Sequence, residues 1–312
     1  MQLLKDKLAI DFMGKRRLAF ILSGVLLAIS LAALATRGLN FGIDFTGGTL
    51  IEVGYPQAVE LEPIRGALAD AGFDGAQVQH FGSSRDVLVR IAPQADKESA
   101  QLSEEALAGL RQLDAAVEMR RIEFVGPQVG EELTEQGALA MIYALIGILI
   151  YIMVRFQWRF APGAVIALIH DVLIIIGAFA VFQFDFDLTV LAALLAVIGY
   201  SLNDTIVVFD RIRENFRKIR KGTPVDIVNT SLNQTISRTL MTSITTLLVL
   251  ISLFVFGGEV IHAFALALIL GVVVGTYSSI YVASSATLAL GVTKADLMPA
   301  KIESKEGDGS MV

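Results

Sequence analysis

Two acidic residues lie inside the apolar segments of this sequence, where an ionisable group is a candidate functional site. Asp171 follows His170, and Asp204 lies in the polar stretch at 200–205. Contact with lipid is costly for a carboxylate, so such residues usually face a protein interior or a water-filled cavity. Burial favours the neutral carboxyl group, and a nearby cation favours the charged one. A carboxyl group that alternates between two such environments can take up a proton in one and release it in the other.

Arg238 is the cation that the sequence offers to Asp204. It is the only charged residue at 230–247, a stretch rich in hydroxyl side chains. We predict that the two residues form a proton relay. The accessory candidates are the neighbours of the acidic groups: Asn203, Thr205, Asp171 and His170.

Simpler interpretations of these residues stay open. Arg238 can extend to the membrane surface on its long apolar stem. Asp204 can form a structural hydrogen bond to a neighbouring helix. For His170 and Asp171, a structural contact between helices is the favoured interpretation, and a second relay station is the alternative.

Other chemistry is excluded by what the sequence lacks. With no cysteine, it has no disulfide, thiolate metal site, iron–sulfur cluster or cysteine nucleophile. It has no phosphate-binding glycine loop and no GxSxG or HExxH motif, and His80 has no second metal ligand near it in the sequence. We therefore expect no enzyme activity, no metal and no cofactor. The net charge of −6 argues against nucleic-acid binding.

The composition places these residues in a membrane protein. Hydrophobic residues make up 54% of the chain and charged residues 18%, against about 45–50% and about 25% in soluble proteins. An apolar run of about 20 residues can cross a bilayer as a helix. Six runs qualify, near residues 18–35, 138–154, 161–182, 188–209, 240–256 and 260–290.

The first and last runs need separate interpretation. The first resembles a signal peptide, but its 18 residues exceed the roughly 7–15 of a signal-peptide core, so we expect a retained helix, with cleavage as the alternative. The last run is longer than one span requires. We expect it to tilt, or to bend at Gly271 or Gly275.

The distribution of basic residues predicts the orientation of the spans, because loops rich in lysine and arginine stay in the cytoplasm. Basic residues occur in an N-terminal arm (1–17), after the second span at Arg155 and Arg159, in a loop at 210–237 and in a tail at 291–312. The alternate loops at 183–187 and 257–259 contain none. We expect both termini inside, a first transmembrane helix at 18–36 and five more at 137–290.

A soluble domain is predicted at 37–136, outside the cytoplasm. Its patterns follow the order β-α-β-β-α-β, with strands near 49–55, 77–81, 86–91 and 117–125 and helices near 59–71 and 98–113. This order predicts a ferredoxin-like α+β domain between the first two transmembrane helices. Gly126, Pro127 and Gly130 mark the return to the membrane, as a linker or a hinge.

Four motifs resemble the SecF family of protein-export membrane proteins. They are FGIDFTGGT at 41–49, EFVGPQVGEEL at 123–133, IGYSLNDTIVVFDRIREN at 198–215 and NQTISRTLMTSITT at 233–246. The resemblance implies a multi-pass protein of the bacterial inner membrane that pairs with a SecD-like subunit. It also implies association with SecYEG and YajC, and use of the proton-motive force to promote translocation of preproteins.

The resemblance assigns roles to particular residues. Asp204 and Arg238 match the proposed proton-relay residues of the family. The motif residues that help to position the outside domain are Phe41, Gly42, Asp44, Gly47, Gly48, Gly126 and Pro127. The alternatives are a proton-coupled exporter of small molecules and a scaffold of the translocon that transduces no energy.

Overall fold

The structure is a computed structural model that describes residues 10–94, 97, 99–155 and 160–291. Positions 1–9, Arg159 and positions 292–312, on which part of the predicted charge distribution rests, lie outside the described residues. In chain order the elements are α1 (Arg16–Thr36), β1 (Asn40–Phe41), α2 (Ile43–Thr46), β2 (Gly48–Gly54), α3 (Leu61–Asp70), β3 (Gln77–Phe81), β4 (Ser83–Ile91), α4 (Ser99–Leu113), β5 (Glu118–Val125), α5 (Pro127–Arg155), α6 (Phe160–Phe182), β6 (Asp185–Phe186), α7 (Leu188–Lys218), α8 (Pro224–Phe256), α9 (His262–Ser278) and α10 (Ser284–Ala289).

The soluble domain has the predicted ferredoxin-like topology. Its antiparallel sheet has the strand order β3-β4-β2-β5, so the first strand of the motif pairs with both the third and the fourth. Ile51 on β2 lies opposite Val89 and Ile122. Alternate residues of the central strands pack against apolar positions of α3 and α4, including Ile64 and Leu102, and form the core of the domain.

Six helical segments of the described chain are long and apolar enough to cross a membrane, as predicted. The helices α6, α7 and α9 carry many buried residues, and they form the centre of the bundle. In contrast, α1, α5 and α8 expose large apolar side chains, for example Leu18, Val154 and Phe256. Outward-facing apolar residues are expected where a helix borders lipid or another membrane protein.

The last span is one long helical segment, as expected, but its irregularity is not at the glycines. A π-helical turn at Ser279–Ala283 separates α9 from α10. A Cβ atom on Gly271 would overlap Val197, and one on Gly275 would lie 3.0 Å from Cβ of Ser201. These two glycines therefore allow α9 to approach α7 closely, and they do not bend the helix.

The π-helical turn sets the orientation of α10. Beyond it, Thr287 lies against α6, where a Cβ on Gly163 would be 2.8 Å from the Thr287 hydroxyl oxygen. Single π-helical turns are rare and occur often at functional sites. The turn follows Ser278 directly.

The predicted linker at Gly126–Gly130 is wrong, because α5 begins at Pro127 and continues to Arg155. Proline is favourable at the first position of a helix, where its missing N–H costs nothing. The predicted domain limit at 136 therefore falls within a helix. Gly130 belongs to that helix. It packs closely against the 45–47 segment, where a Cβ on Gly130 would lie 2.9 Å from both the Gly47 nitrogen and the Phe45 oxygen.

The predicted loop at 210–237 is also largely helical. α7 continues to Lys218, and α8 begins at Pro224, so the connection has only the five residues 219–223. Thr223 and Asp226 form a reciprocal capping box at the start of α8. The Thr-Pro-x-Asp pattern was present in the sequence and is a known signal for a helix start.

We predict that Gly130→Ala destabilises the protein although alanine is the better helix former. Alanine alone would stabilise a helix by about 1 kcal/mol relative to glycine. Overpacking against the backbone of the 45–47 segment costs about 1–3 kcal/mol, so the net change is a lower thermal unfolding temperature. Gly147→Ala is the matched control, because it lies in the same helix and its Cβ would meet nothing within 4 Å. An equal or higher unfolding temperature for Gly130→Ala would contradict the close contact.

Candidate functional site

Asp204 lies where three helical segments meet. The Thr239 hydroxyl of α8 donates a hydrogen bond of 2.6 Å to one carboxylate oxygen of Asp204. The Ser279 hydroxyl, at the start of the π-helical turn, donates to the other oxygen. Hydrogen bonds to a charged acceptor are about twice as strong as neutral ones. The charge state of this one carboxyl group therefore influences how α7, α8 and the last span pack together.

Arg238 lies beside this site without a contact to the carboxylate. Within the described part of the chain, no ion pair of 4.0 Å or less joins Asp204 to Arg238. The guanidinium is exposed but close enough for a Coulombic interaction with Asp204. The next residue, Thr239, supplies the direct contact in its place. In this state of the protein, hydroxyl groups and not the guanidinium hold the carboxylate.

A cavity of about 870 Å³ lies at the end of the membrane part opposite the soluble domain. Asn203 and Arg238 line it, together with the charged residues Arg155, Asp210 and Arg213. Of the predicted accessory residues, Asn203 thus faces this cavity, whereas Thr205 is buried. The cavity offers water a route from that side towards the surroundings of Asp204.

Asp171 is the more deeply buried carboxyl group, with 1% exposure. Its Oδ2 accepts hydrogen bonds from Ser201 of α7 at 2.6 Å and from Ser278 of α9 at 2.7 Å. Its Oδ1 lies 2.9 Å from Nδ1 of His170. Nε2 of that histidine lies 3.0 Å from the Ser23 hydroxyl of α1. The pair thus joins four helices.

The two carboxyl groups belong to one cluster of polar residues. Ser278 binds Asp171 and the adjacent Ser279 binds Asp204. Ser201, the other donor to Asp171, is three residues before Asp204 on α7. Sequence reasoning missed the hydroxyl members of this cluster. The sequence contained one pattern that indicates them, an unusual run of hydroxyl side chains at 276–279 inside the last apolar segment.

At the other end of the bundle, the motif at 41–49 connects the soluble domain to α7. β1 and β6 pair in parallel, with Phe41 opposite Phe186. Asp44 accepts a hydrogen bond of 2.9 Å from the backbone N–H of Leu188, the first residue of α7. Asp187 caps the same helix by accepting from the Val190 N–H at 2.9 Å.

The paired glycines of this motif are required by backbone geometry. Gly47 and Gly48 have φ values of +68° and +125°, which side-chain-bearing residues rarely adopt. A Cβ on Gly47 would also lie 2.8 Å from the Cα of Pro127, and one on Gly42 would lie 3.1 Å from the Cβ of Asp187. The motif therefore fits tightly between the starts of α5 and α7.

A second group of contacts joins the sheet of the domain to the connection before α7. Asp185 receives hydrogen bonds of 2.6 Å from Asn40 and 2.7 Å from Gln79. Arg90 of β4 forms an ion pair with it at 3.3 Å. The domain is thus tied to the outer end of α7 by charge as well as by backbone pairing. Across the described residues, no group of three or more histidine or acidic side chains is placed to hold a metal ion.

The fold and this site define a multi-pass membrane protein with a ferredoxin-like domain and two carboxyl groups held by hydroxyls between its spans. The family model described as "Protein export membrane protein SecD/SecF, C-terminal" matches residues 105–293. The model of the SecD/SecF GG motif matches residues 32–59, which include Gly47 and Gly48.

Individual relatives agree over nearly the whole chain. The protein translocase subunit SecF of Vibrio alginolyticus is 56% identical over 98% of this chain and 97% of its own length. The SecF subunit of Pseudomonas aeruginosa is 51% identical over 93% of this chain and 94% of its own. The chain belongs to the SecF family.

A solved structure agrees with the fold. The crystal structure of SecDF, a translocon-associated membrane protein from Thermus thermophilus, superposes with a TM-score of 0.81 and 39% sequence identity. The match covers 93% of this chain but only 39% of that one. The relative therefore carries a large additional part that this chain does not contain.

We predict that Thr239→Val lowers the stability of the protein, because it removes a hydroxyl donor from Asp204 and keeps the side-chain shape. Loss of one hydrogen bond to a charged acceptor costs about 1.5–3 kcal/mol. Thr242→Val is the matched control, since that exposed hydroxyl donates only to backbone carbonyls of its own helix. Thermal unfolding in lipid or detergent compares the two. Equal unfolding temperatures would show that the contact with Asp204 contributes nothing.

Proposed function

We propose that this chain, an accessory subunit of the Sec protein translocase, couples the protonation of Asp204 to movement of its soluble domain. The driving force is the proton-motive force, and the work is the promotion of preprotein translocation across the bacterial inner membrane. The observation that carries the proposal is the position of Asp204, whose carboxylate bonds to both α8 and the π-helical turn.

Protonation of Asp204 changes the forces between these helices. A neutral carboxyl group is a weaker hydrogen-bond acceptor than a carboxylate, so the hydrogen bonds from the Thr239 and Ser279 hydroxyls become weaker. α8 and the last span then become free to shift relative to α7. Arg238 is the nearby cation that can approach Asp204 when the carboxyl group ionises again.

α7 can transmit that shift to the soluble domain. Asp204 and Leu188 are 16 residues apart on one helix, which is about 24 Å at 1.5 Å per residue. At its outer end, α7 is held by Asp44 and by the β1–β6 pairing. A movement of α7 therefore acts directly on the segment that carries the domain. One proton crossing the membrane supplies about 2.3 kcal/mol per 100 mV.

The remaining partners follow from the family. The related SecDF chain carries an additional part, and a separate SecD-like polypeptide would supply it here. The exposed apolar faces of α5 and α8 are available for that subunit. We propose further that the pair associates with SecYEG and YajC, that both termini face the cytoplasm and that the domain faces the periplasm.

Substitution of Asp204 by asparagine tests the coupling. Asparagine keeps the size and accepts hydrogen bonds, but it cannot gain or lose a proton. We expect Asp204→Asn to lose the part of preprotein export that depends on the proton-motive force, by at least about tenfold, while the complex with the partner still assembles. The assay measures export with the potential present and after it is collapsed by an uncoupler.

The control is Asp70→Asn, an exposed acidic residue of the soluble domain. Wild-type export by Asp204→Asn with the potential present would overturn the proposal. Together with a defect in variants that prevent complex assembly, that result would favour the scaffold. A drug-sensitive phenotype with normal export would favour the small-molecule exporter.

Pull-down of the full chain from membranes tests the proposed partner. We expect a SecD-like polypeptide to co-purify in about equal amount, because the lipid-facing helices leave large apolar surfaces uncovered. Asp204→Asn should retain this partner. Purification of the chain without such a polypeptide from its native membrane would contradict the proposed pairing.

A further inference from the structure

His170 and Asp171 form a more elaborate site than a contact between two helices requires. A single hydrogen bond would join α6 to one neighbour, yet both oxygens of Asp171 are occupied. His170 and Asp171 are 4% and 1% exposed, and the hydroxyls of Ser201 and Ser278 complete the site. Buried charge is tolerated only with such complete pairing. All polar side-chain atoms of the two residues are therefore paired.

The surroundings of His170 accommodate two protonation states. Beyond Nε2, hydrogen bonds continue to Ser23, then to the Tyr277 hydroxyl at 2.9 Å, and then to the backbone oxygen of Ala19 at 2.7 Å. If the histidine is charged, every hydrogen points along the chain towards Ala19. If it is neutral with its proton on Nδ1, the Ser23 hydroxyl reverses and donates to Nε2. Neither state leaves an unpaired donor.

The hydroxyls of Ser278 and Ser279 each have two hydrogen-bond acceptors within reach. The Ser278 hydroxyl donates to Asp171, and the backbone oxygen of Gly275 lies 3.2 Å away as an alternative. The Ser279 hydroxyl donates to Asp204, and the oxygen of Thr276 lies 3.1 Å away. A serine that bonds to its own preceding turn bends a helix. Each hydroxyl can therefore respond to protonation of its carboxylate by turning back to its own helix.

We infer that His170 and Asp171 are a second proton-binding station, and that Ser278 and Ser279 couple its protonation to that of Asp204. This inference deepens the proposed function and rests on it. A proton taken up by the carboxylate of Asp171 forms one O–H bond, and its release restores the carboxylate. No other covalent bond changes.

The position of Asp171 relative to Asp204 gives a direction to proton uptake and release. Ser201, which binds Asp171, lies three residues nearer the soluble domain than Asp204, about 4.5 Å along α7. The cavity lined by Asn203 and Arg238 opens towards the opposite side. Asp171 thus lies on the domain side of Asp204, and proton uptake at Asp171 before release from Asp204 towards the cavity is part of the proposal.

The groups that face Asp171 are few in the described structure. From its own helix, the titratable neighbour is His170, and from α9 it is Tyr277. α7 carries Tyr200, whose hydroxyl donates to Ser243 of α8, and Asp204, and the π-helical turn carries Tyr281. α1 contributes the uncharged Ser23. The residues of α5 that pack near this part of α6 are apolar, namely Met141, Leu145 and Ile148.

Infrared difference spectroscopy over a pH titration tests the second station directly. The sample is the full chain in lipid with its partner subunit, and the signal is the C=O band of protonated carboxyl groups. We expect Asp171→Asn to remove one component of this band and to shift the transition of the other. Asp204→Asn should remove the other component. A spectrum of Asp171→Asn identical to that of the Asp70→Asn control would overturn the proposal.

The serines provide a second measurement that a purely structural role would not affect. We expect Ser278→Ala, which removes a donor from Asp171 and none from Asp204, to change the proton affinity of Asp204 by about tenfold or more, as for strongly coupled sites. Ser252→Ala is the matched control, because this exposed hydroxyl of α8 donates only to the Leu248 oxygen. An unchanged Asp204 transition in Ser278→Ala would exclude the coupling.

Export assays separate failure of this inference from failure of the proposed function. We expect Asp171→Asn and His170→Gln to reduce the export that depends on the proton-motive force and to shift its pH profile. If Asp204→Asn abolishes that export and Asp171→Asn leaves it unchanged, the second station is wrong and the proposed function stands. If Asp204→Asn exports normally, the proposed function fails, and the spectra still decide whether Asp171 titrates.

Discussion

The structure depends on the need to keep a carboxylate stable within a membrane. Asp171 is buried and Asp204 is only partly exposed, so hydroxyl groups of neighbouring helices supply donors that water supplies elsewhere. Ser201, Ser278, Thr239 and Ser279 supply these donors. Since each donor comes from a different helix from its acceptor, the packing of the bundle and the charge on the two carboxyl groups are linked. Close approach of α9 to α7 at Gly271 and Gly275 brings the donors within reach.

The same helix that carries Asp204 also carries the attachment of the soluble domain. Asp187 and Asp44 hold the outer end of α7, and the parallel pair β1–β6 lies beside it. The glycine pair at 47–48 is needed for steric reasons, because the chain turns there against the start of α5. The motif at 41–49 is therefore mechanically linked to the intramembrane site, although the two are distant in sequence. The two are separated by one continuous helix.

Much of the fold was predictable, because it depends on local patterns. The six spans follow from apolar runs, and the order of the soluble domain follows from alternation in strands such as Gln77–Phe81, whose limits were predicted correctly. Helix ends were less predictable where helices continue beyond the apolar run. α7 continues to Lys218 and α8 begins at Pro224, since polar residues there pack on other helices, as Asn215 does with Ser231.

The site was predictable only in part, and its residue roles stay predictions. An acidic residue in an apolar run is conspicuous, so Asp171 and Asp204 could be selected from the sequence alone. Their partners could not, because serine and threonine are common in membrane helices and only the packing shows which of them face a carboxylate. The charge of Arg238 pointed to it as the partner of Asp204, but the sequence could not show whether the two touch, and the contact in the structure is made by the adjacent Thr239.

The π-helical turn limits which changes of length the last span can accept. It contains one residue more than an α-helical turn would, and each residue of an α-helix adds about 100° of rotation. α10 owes the direction of its buried hydroxyls, including that of Thr287 towards Gly163, to this extra residue. Loss of any one residue at 279–283 would turn that polar face by more than a quarter of a circle, towards lipid. The length of this short segment is therefore fixed more strictly than its composition.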